Sequence, residues 1–435
     1  MNDNSTASVT NVKEFDIFLV ALRICSIRRF LVRLSGIARY VCSNYRINGF
    51  IALATCTVER TESLVGARRG QRPVNSAFVH SYFQHLYRDW PVEEEVQRRT
   101  ASRENHVSIV EARPTSNWRR RVDWLAGLVA ACSILTLSAR HWWVADLIAN
   151  LRVQLIIGML GTILLLSIMR RWRILAAVAT LTMWQATAMR AAYQTGDIEP
   201  NQSNQRLRVF MANVLTRNQH HDQIIAQIRA ADPDVIAILE LSSKLEASLQ
   251  REFSSTHEYF VSESQDDGNF GIGVWSRYPL SNERVFHLNA PILPSIEADI
   301  ELPSCTIHVM ATHPLPPIGT RNFGHRNRHL SLLAQRMRNR QQIEPSCSQI
   351  LLGDLNLTPW SPLFDDFLTS TGLQSAAAGR GLQPTWYRWP AFPFGLLLDH
   401  GLYSRNMHCD QRAILSANGS DHRAVVFDFS ANESR

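Results

Sequence analysis

The chain has 435 residues, with 45 Lys or Arg against 38 Asp or Glu, so its formal net charge is +7. This length is too great for one ordinary hydrophobic core and predicts two or three structural units. Seven scattered cysteines exclude a disulfide scaffold, and the absence of any C-x-x-C pair argues against a zinc ribbon. Residues 206–430 carry 19 Lys or Arg against 22 Asp or Glu, so the basic character belongs to the first half. The charge of the whole chain therefore does not mark the C-terminal half as a nucleic-acid binder.

Residues 1–115 are basic and show little pattern. The apolar run Ile17–Leu22 is too short for a secretory signal and is followed closely by arginines. Residues 14–40 would suit a basic amphipathic helix on a membrane surface. The simpler interpretation, which we favour, is a poorly ordered leader, and we assign residues 1–115 no function.

Residues 116–193 contain three uncharged apolar runs. They are Trp124–Ala139, Val153–Met169 and Ile174–Met189, with 16, 17 and 16 residues. These lengths lie at the short edge of the ~17–25 residues that cross a bilayer, and flanking tryptophans and arginines extend them. A buried helical hairpin in a soluble domain is the alternative. The low charge of the region favours about three transmembrane helices, and hence a multi-pass membrane protein.

Arginine placement predicts the orientation of these helices. Arg119–Arg121 precede the first run, and Arg170, Arg171 and Arg173 lie between the second and third. Positive-inside logic puts the N-terminus and this second connection in the cytoplasm. Three crossings then leave the polar linker 194–205 and everything after it extracytoplasmic, whereas two crossings would reverse that side.

Residues 206–430 have the texture of a globular domain. Short apolar runs predict strands over Leu207–Met211, Val235–Leu239, Gly271–Trp275, Thr306–Ala311, Gln349–Leu352, Leu396–Leu398 and Ala424–Phe429. Amphipathic segments predict helices over His221–Ala231, Ser243–Phe253, Arg326–Arg340 and Ser361–Thr371. The mixed order, with more strands than helices, favours two sheets with outer helices over a simple parallel sheet.

Eight polar residues able to do chemistry lie at the ends of predicted strands, six after a strand and two before one. They are Asn213, Glu240, His313, Asp354, Asn356, Asp399, Asp421 and His422. One such residue alone is usually a cap or a solvated turn, and a single His is usually structural. Eight of them in one domain favour a catalytic site.

The residue types suit phosphoester chemistry with a divalent metal. Oxygen ligands from Glu240, Asp421 and the Asn213 amide suit a hard cation such as Mg²⁺ or Mn²⁺. Such an ion neutralises phosphate charge and steadies an attacking or leaving oxygen. His422, oriented by Asp399, would exchange a proton near neutral pH.

The other three residues suit the substrate side of such a site. Asn356 and His313 can donate hydrogen bonds to phosphoryl oxygens, and Asp354 can align the attacking water or accept its proton. A carboxylate that supports His313 is not evident. Glu258 and Glu263 are candidates that no motif supports.

At these residues the sequence resembles the endonuclease/exonuclease/phosphatase superfamily. The matching motifs are VFMAN at 209–213, ILE at 238–240, GIGVWSR at 271–277, TH at 312–313, GDLN at 353–356, LDH at 398–400 and GSDH at 419–422. They cover roughly half of the chain. The resemblance implies a four-layer α/β sandwich, two packed β-sheets flanked by helices, that hydrolyses phosphoesters with a divalent metal.

The resemblance also implies roles for the polar residues. It implies Asn213 and Glu240 at the metal, His313 and Asn356 on the phosphate, and Asp354, Asp399 and His422 around the nucleophile. The segments Thr358–Ser361 and Pro384–Trp386 look like a bacterial branch that often carries N-terminal membrane helices. Leu215 stands where the abasic-site endonucleases have an acid, and His313 where they have a Tyr. We therefore do not expect abasic-site activity.

The sequence leaves three hypotheses for the function of the membrane-tethered domain. We favour a phosphodiesterase or phosphatase that acts outside the cytoplasm; the alternatives are an extracytoplasmic DNase I-like endonuclease and a non-catalytic membrane-anchored binding protein. The negative balance of residues 206–430 weighs against tight DNA binding. Six arginines could still contact nucleic acid, although we favour a solvated helix face for several of them: Arg321, Arg326, Arg328, Arg336, Arg338 and Arg340. Four aromatic residues suit either a substrate-facing lid or core or membrane-proximal packing: Trp386, Trp389, Phe392 and Phe394.

Overall fold

The computed structural model describes residues 116–193 and 205–431. All of these residues belong to one compact unit, Glu111–Arg435. The predicted leader, residues 1–115, and nearly all of the predicted linker lie outside the described residues.

Residues 116–193 form four helices. They are α1 (Ser116–Leu135), α2 (Trp143–Asn150), α3 (Arg152–Ile168) and α4 (Trp172–Thr187), with short 3-10 turns at Thr136–Ser138 and Arg190–Ala192. Three of them pack together through Val122 of α1, Met159 of α3 and Val178 of α4. Their outward faces are apolar and exposed; Trp124, for example, is 76% exposed.

One helical stretch, Asn117–Ser138, is long and apolar enough to cross a membrane. The pair α2 and α3 passes the same test together but bends by 72° at its break, which fits a broken span or a re-entrant loop. Helix α4 has 16 residues and falls short of that length. By length and composition the described residues therefore hold one candidate span, or two, where the sequence predicts about three.

Residues 205–431 fold into strands and helices in mixed order. The strands are β1 (Gln205–Asn213), β2 (Val235–Leu239), β3 (Tyr259–Glu263), β4 (Ile272–Ser276), β5 (Leu280–His287), β6 (Pro294–Glu301), β7 (Thr306–Thr312), β8 (Ser348–Asp354), β9 (Gln374–Ser375), β10 (Asp399–Tyr403), β11 (Met407–Ile414) and β12 (Val425–Ala431). The helices are α5 (His221–Ala231), α6 (Ser243–Phe253), α7 (Gly319–Ile343) and α8 (Pro362–Thr371).

Two six-stranded sheets pack face to face. The first has the order β11-β12-β1-β2-β4-β3, and the second the order β5-β6-β7-β8-β10-β9. Alternate residues such as Val209 of β1 and Ile350 of β8 fill the core between the sheets. Helices α5 and α6 cover the outer face of the first sheet, and α7 and α8 cover that of the second. This is the two-sheet α/β sandwich that the sequence predicts.

Several predicted elements are confirmed, and α8 shows why. The Ser361 hydroxyl accepts a hydrogen bond from the Leu363 amide, Pro362 occupies the first turn, and Gly372 ends the helix at φ 74°. These are the signals of a helix start and stop. Helix α7 begins seven residues earlier than predicted, at Gly319 instead of Arg326, because its polar first turns give no apolar periodicity.

The predicted strand over Leu396–Leu398 is wrong. Leu396 makes an isolated bridge to Trp386, and the Thr385 hydroxyl accepts hydrogen bonds from the amides of Leu398 and Asp399. Regular pairing with β8 begins at Asp399. Asp399 therefore opens a strand instead of following one.

The six arginines of α7 divide into two groups. Arg321, Arg328 and Arg338 are exposed, as a solvated face requires. Three others pair with carboxylates: Arg326 with Asp146, Arg336 with Glu297, and Arg340 with Asp299. Half of the predicted face therefore binds carboxylates, which leaves those arginines unavailable to nucleic-acid phosphates.

Candidate active site

The site lies where strands from both sheets end or begin together. Asn213 is the last residue of β1 and lies beside Leu239, so Glu240 follows directly at the same edge. In the other sheet, Asp354 ends β8 and stands opposite Asp399 of β10. The strand pairing thus brings together four polar side chains that are far apart in the chain.

A glycine allows the strands to meet closely at this edge. A Cβ on Gly353 would lie 2.3 Å from the carbonyl oxygen of Thr312, the residue with which it pairs on β7. Only a residue without a side chain fits there. Asp354 and His313 directly follow Gly353 and Thr312 in the chain, so the two site residues lie just beyond this close approach.

Glu240 is the candidate metal ligand that the geometry supports best. It is buried, and its Oε1 accepts a hydrogen bond from Asn213 Nδ2 at 2.9 Å. Its Oε2 is buried without a hydrogen-bond partner among the described residues. Desolvation raises the pKa of Glu240 above its ordinary value. A buried carboxylate oxygen without a donor is costly, which is what a bound cation would relieve.

His422 lies between two carboxylates. Its Nδ1 is 2.8 Å from Asp399 Oδ2, and its Nε2 is 3.5 Å from Asp354 Oδ2. Burial acts to lower the pKa of His422, but the charges of Asp399 and Asp354 outweigh it and raise the pKa to about 10. Burial likewise opposes ionisation of Asp354, and the neighbouring His422 and His313 still lower its pKa to about 2. Two carboxylates thus flank the His422 ring, and their charges favour its protonated form.

His313 lies on the other side of Asp354. Its Nε2 is 3.5 Å from Asp354 Oδ2, and its Nδ1 is buried without a partner among the described residues. Burial opposes the charged form, but the hydrogen bonding and charge of Asp354 raise the pKa of His313. Asp354 thus takes the supporting place for which Glu258 and Glu263 were candidates. Glu263 instead lies 3.2 Å from the His287 ring.

Asn356 is held in a strained position behind Asp354. Its φ is 51°, its amide nitrogen donates to Asp354 Oδ1 at 3.0 Å, and its side-chain Nδ2 donates to the Pro314 carbonyl at 2.9 Å. Its own carbonyl accepts a hydrogen bond from Arg326 Nη1 at 2.9 Å. Left-handed backbone in a residue other than glycine persists only where its surroundings fix it, as they do here.

Helix α2 reaches into this part of the site. Asp146 Oδ2 accepts a hydrogen bond from Arg326 Nη2 at 2.7 Å, and both side chains are fully buried. Asn150 Oδ1 accepts from the backbone nitrogen and the hydroxyl of Thr358, and the Asn150 carbonyl accepts from the Trp360 indole. The loop that follows Asp354 is therefore built partly on the helical region.

Asp421 is placed differently from the other predicted ligands. Its Oδ2 accepts a hydrogen bond from the Trp386 indole at 3.0 Å and lies 3.2 Å from Arg388 Nε. These two partners belong to the loop 384–395, which thereby closes one side of the site. A role for Asp421 at a metal stays a prediction.

Some site residues escape sequence reasoning. Ser420 links the end of β1 to the segment before β12, since its hydroxyl donates to the Asn213 carbonyl at 2.8 Å and accepts from the His422 amide at 3.0 Å. Behind His313, the Thr312 hydroxyl lies 2.8 Å from the His329 ring, whose pKa burial lowers to about 4. Ser420 belongs to the GSDH motif and could have been noticed. His329 carries no sequence signal.

The sequence and structure of this domain have known counterparts. The model of the Endonuclease/Exonuclease/phosphatase family matches residues 209–422. No curated protein matches the chain. Among solved structures, the catalytic domain of human Nocturnin, described with a bound sulfate anion, is 20% identical over 52% of this chain and 95% of that chain, at a TM-score of 0.44.

Two further structures are similar over about half of this chain. Truncated Caenorhabditis elegans TDP2 is 14% identical over 53% of this chain and 99% of that chain, at a TM-score of 0.45. An endonuclease/exonuclease/phosphatase from Beutenbergia cavernae is 18% identical over 53% of this chain and 72% of that chain, at a TM-score of 0.43. The family match runs from the strand that carries Asn213 to the motif that ends in His422. The C-terminal domain of this chain, residues 209–422, belongs to the Endonuclease/Exonuclease/phosphatase family.

Proposed function

We propose that the protein is a membrane-anchored, divalent-metal-dependent phosphoester hydrolase, a phosphodiesterase or phosphatase. The observation that carries the proposal is the buried set of polar side chains at one edge of both sheets. In this set Glu240 has an oxygen without a partner among the described residues, and His422 lies between the carboxylates of Asp399 and Asp354. Family membership supplies the reaction class.

The donor set around Glu240 fits Mg²⁺ or Mn²⁺. Oxygen donors suit hard cations, and Glu240 Oε2 has no other partner among the described residues. Asn213 turns its Nδ2 toward Glu240 and Asp354, so ligation through its Oδ1 requires the amide to turn over. With Asp421 as the third proposed ligand, the ion would supply charge neutralisation at the phosphate.

A second group of potential ligands fits a metal less well. One atom each of Asp354, Asp399 and His422 lies within 4.8 Å of the others. The two carboxylates that flank His422 raise its pKa and so favour the protonated imidazole, which is a poor metal ligand. We therefore assign this group to proton handling.

The chain's own residues then divide the remaining work. His422, oriented by Asp399, would hold and donate a proton at Nε2. Asp354, ionised between two histidines, would orient the attacking water, and His313 and Asn356 would donate hydrogen bonds to phosphoryl oxygens. Burial excludes bulk water and strengthens each of these interactions.

The metal assignment has a direct test. Chelation should abolish turnover of bis-p-nitrophenyl phosphate, and Mg²⁺ or Mn²⁺ should restore it. Glu240→Gln should raise the metal concentration needed for half-maximal activity, while the control Glu263→Gln, at a carboxylate outside the site, should not. Full activity in excess chelator would refute metal dependence.

Membrane anchoring is supported by the exposed apolar faces of α1, α3 and α4. Leu128, Leu164 and Ile168 are 61%, 63% and 71% exposed, and soluble proteins rarely expose such a surface continuously. The C-terminal domain contacts the helices at one end of their bundle. Arg140, after α1, pairs with Asp366, and Met189, after α4, packs with Trp360. This arrangement suits three crossings with the catalytic domain outside the cytoplasm, as in a bacterial membrane-anchored branch of the family.

A fusion experiment tests that topology. Alkaline phosphatase joined after Arg435 should be active in a bacterial host, because three crossings place this end outside. A cytoplasmic reporter at the same position should be inactive. The opposite pattern would mean that two segments cross, or none.

Nucleic acid is the second substrate class, and the charges favour it less. The strongest basic cluster of the domain is α7, and three of its six arginines pair with carboxylates. A panel of plasmid DNA, p-nitrophenyl phosphate and phospholipids separates the classes. A catalytically inactive binding protein would turn over none of them.

A further inference from the structure

The loop 384–395, which we call the aromatic loop, exposes large apolar side chains beside the site. Trp389, Phe392 and Phe394 are 57%, 64% and 47% exposed. Three such residues within six positions make a patch that soluble surfaces rarely carry. Their exposure identifies the loop as a surface that contacts something apolar.

The aromatic loop is fastened to the start of α3. Gln154 Nε2 donates to the carbonyls of Ala391 and Gly395, each at 3.1 Å. Leu151 packs against a small apolar cluster that includes Ala391 and Leu396. The loop is therefore held at the first turn of α3 and not at the middle of that helix.

The position of this attachment indicates what covers the aromatic side chains. The exposed apolar face of α3 begins at Ile157 and continues through Leu160 and Leu164. Ile157 lies three residues beyond Gln154, a rise of ~4.5 Å along the helix. The aromatic loop thus stands at the level where the apolar face of the bundle starts, and Trp and Phe side chains at that level are typical of a membrane interface.

The other side of the same loop forms the rim of the site. The Trp386 ring centroid lies 6.5 Å from that of His422, and the Trp386 indole donates to Asp421. Arg388 pairs with Asp421 while its side chain stays 53% exposed. An exposed arginine between apolar tips and a catalytic site suits the phosphates of a lipid surface.

We propose that the aromatic loop inserts Trp389, Phe392 and Phe394 into the interface of the membrane that holds the helices, and that the site acts on phosphoesters of lipid headgroups in that membrane. The inference rests on the proposed hydrolase function and membrane anchoring. It adds the substrate class and the surface that delivers it. A patch continuous with the exposed face of α3 favours lipid over a second copy of the chain or a nucleic acid.

The test compares two substrates on the full chain. Wild type and the double variant Trp389→Ala/Phe392→Ala are reconstituted in phosphatidylcholine vesicles that carry phosphatidic acid and phosphatidylglycerol. Lipid turnover should fall ~10-fold or more in the variant, because two large apolar side chains no longer leave water. Turnover of soluble bis-p-nitrophenyl phosphate should stay within about twofold. The matched control Tyr259→Ala/Ile343→Ala, which removes exposed apolar side chains elsewhere, should change neither rate.

A second measurement reads the contact without relying on activity. p-Benzoylphenylalanine at position 392 should cross-link to lipid on illumination, and the same residue at position 259 should not. Equal cross-linking at both positions, or equal losses with both substrates, would overturn the inference. A selective loss of single-stranded oligonucleotide turnover would overturn it in favour of base stacking. Wild-type protein that hydrolyses neither substrate would refute the hydrolase proposal. In that case the presence or absence of the cross-link at position 392 would still show whether the aromatic loop contacts lipid.

Discussion

The buried ion pair between Asp146 and Arg326 ties the helical region to the active-site loop and invites a quantitative test. Both side chains are 0% exposed, and their closest atoms are 2.7 Å apart. Arg326 also donates to the carbonyl of Asn356, so its position is linked to a proposed phosphate-binding residue. Asp146→Asn removes the negative charge and leaves the guanidinium buried with neutral partners.

Loss of one partner of a buried pair costs about 3–5 kcal/mol, because the other charge stays desolvated. For a domain of this size each kcal/mol corresponds to about 2–4 °C, so Tm should fall by about 6–20 °C. Asp366→Asn is the matched control. It breaks the pair with Arg140, which also joins the helices to the C-terminal domain but whose side chains are 44% and 48% exposed. Exposed pairs contribute about 0–1 kcal/mol.

Thermal unfolding, followed by tryptophan fluorescence in vesicles, and phosphodiesterase turnover should be measured on the same preparations. We expect Asp146→Asn to lower both Tm and turnover well below the control. The double variant Asp146→Leu/Arg326→Met should recover part of the lost stability, because it leaves no buried charge. Equal Tm values for Asp146→Asn and Asp366→Asn would refute the reasoning.

Three further predictions concern single features of the domain. His422→Ala should lower turnover ~10²–10⁴-fold and Asp399→Asn nearly as much, and the double variant should lose little more than the worse single, since the residues act as a unit; multiplicative losses in steady-state kinetics would contradict this. Gly353→Ala should lower the free energy of unfolding in urea by ~1–3 kcal/mol, because the alanine Cβ would lie 2.3 Å from the Thr312 carbonyl oxygen. An unchanged urea midpoint would contradict this. Burial acts to raise the pKa of Glu297, but its partners Arg336 and Arg284 outweigh burial and lower the pKa below 4.5. These ion pairs therefore stabilise the fold fully above about pH 4.5, and the stabilisation is lost as the pH falls further. Glu297→Gln should therefore flatten the dependence of Tm on pH below that value, and an unchanged acid slope would show that the pair does not contribute.

The sequence alone predicted the layered architecture and the residues that meet at the site. Strand β2, at Val235–Leu239, and helix α5, at His221–Ala231, have the predicted bounds because one is a continuous apolar run and the other has regular helical spacing of its buried residues. Six of the eight polar residues were singled out because they end or follow an apolar run, and Asp421 and His422 because they precede one. The motifs around them identify the family.

Other strands were missed because their side chains are satisfied by partners distant in the chain. Strand β6 buries Glu297 and Asp299, and acidic residues at alternate positions suggest an exposed segment. Only the folded chain shows that arginines of α7 neutralise them. The sequence likewise could not say which arginines of α7 pair with carboxylates and which form its solvated face.

The pairwise geometry of the site depends on tertiary structure. The sequence predicted that His422 and Asp399 act together, and the folded chain places their side chains 2.8 Å apart. The sequence contains no signal that Asp354 would lie beside both His313 and His422, or that α2 would hold the loop that follows Asp354. Those contacts arise because strand register and helix docking are set by packing over the whole unit, which local composition and spacing do not encode.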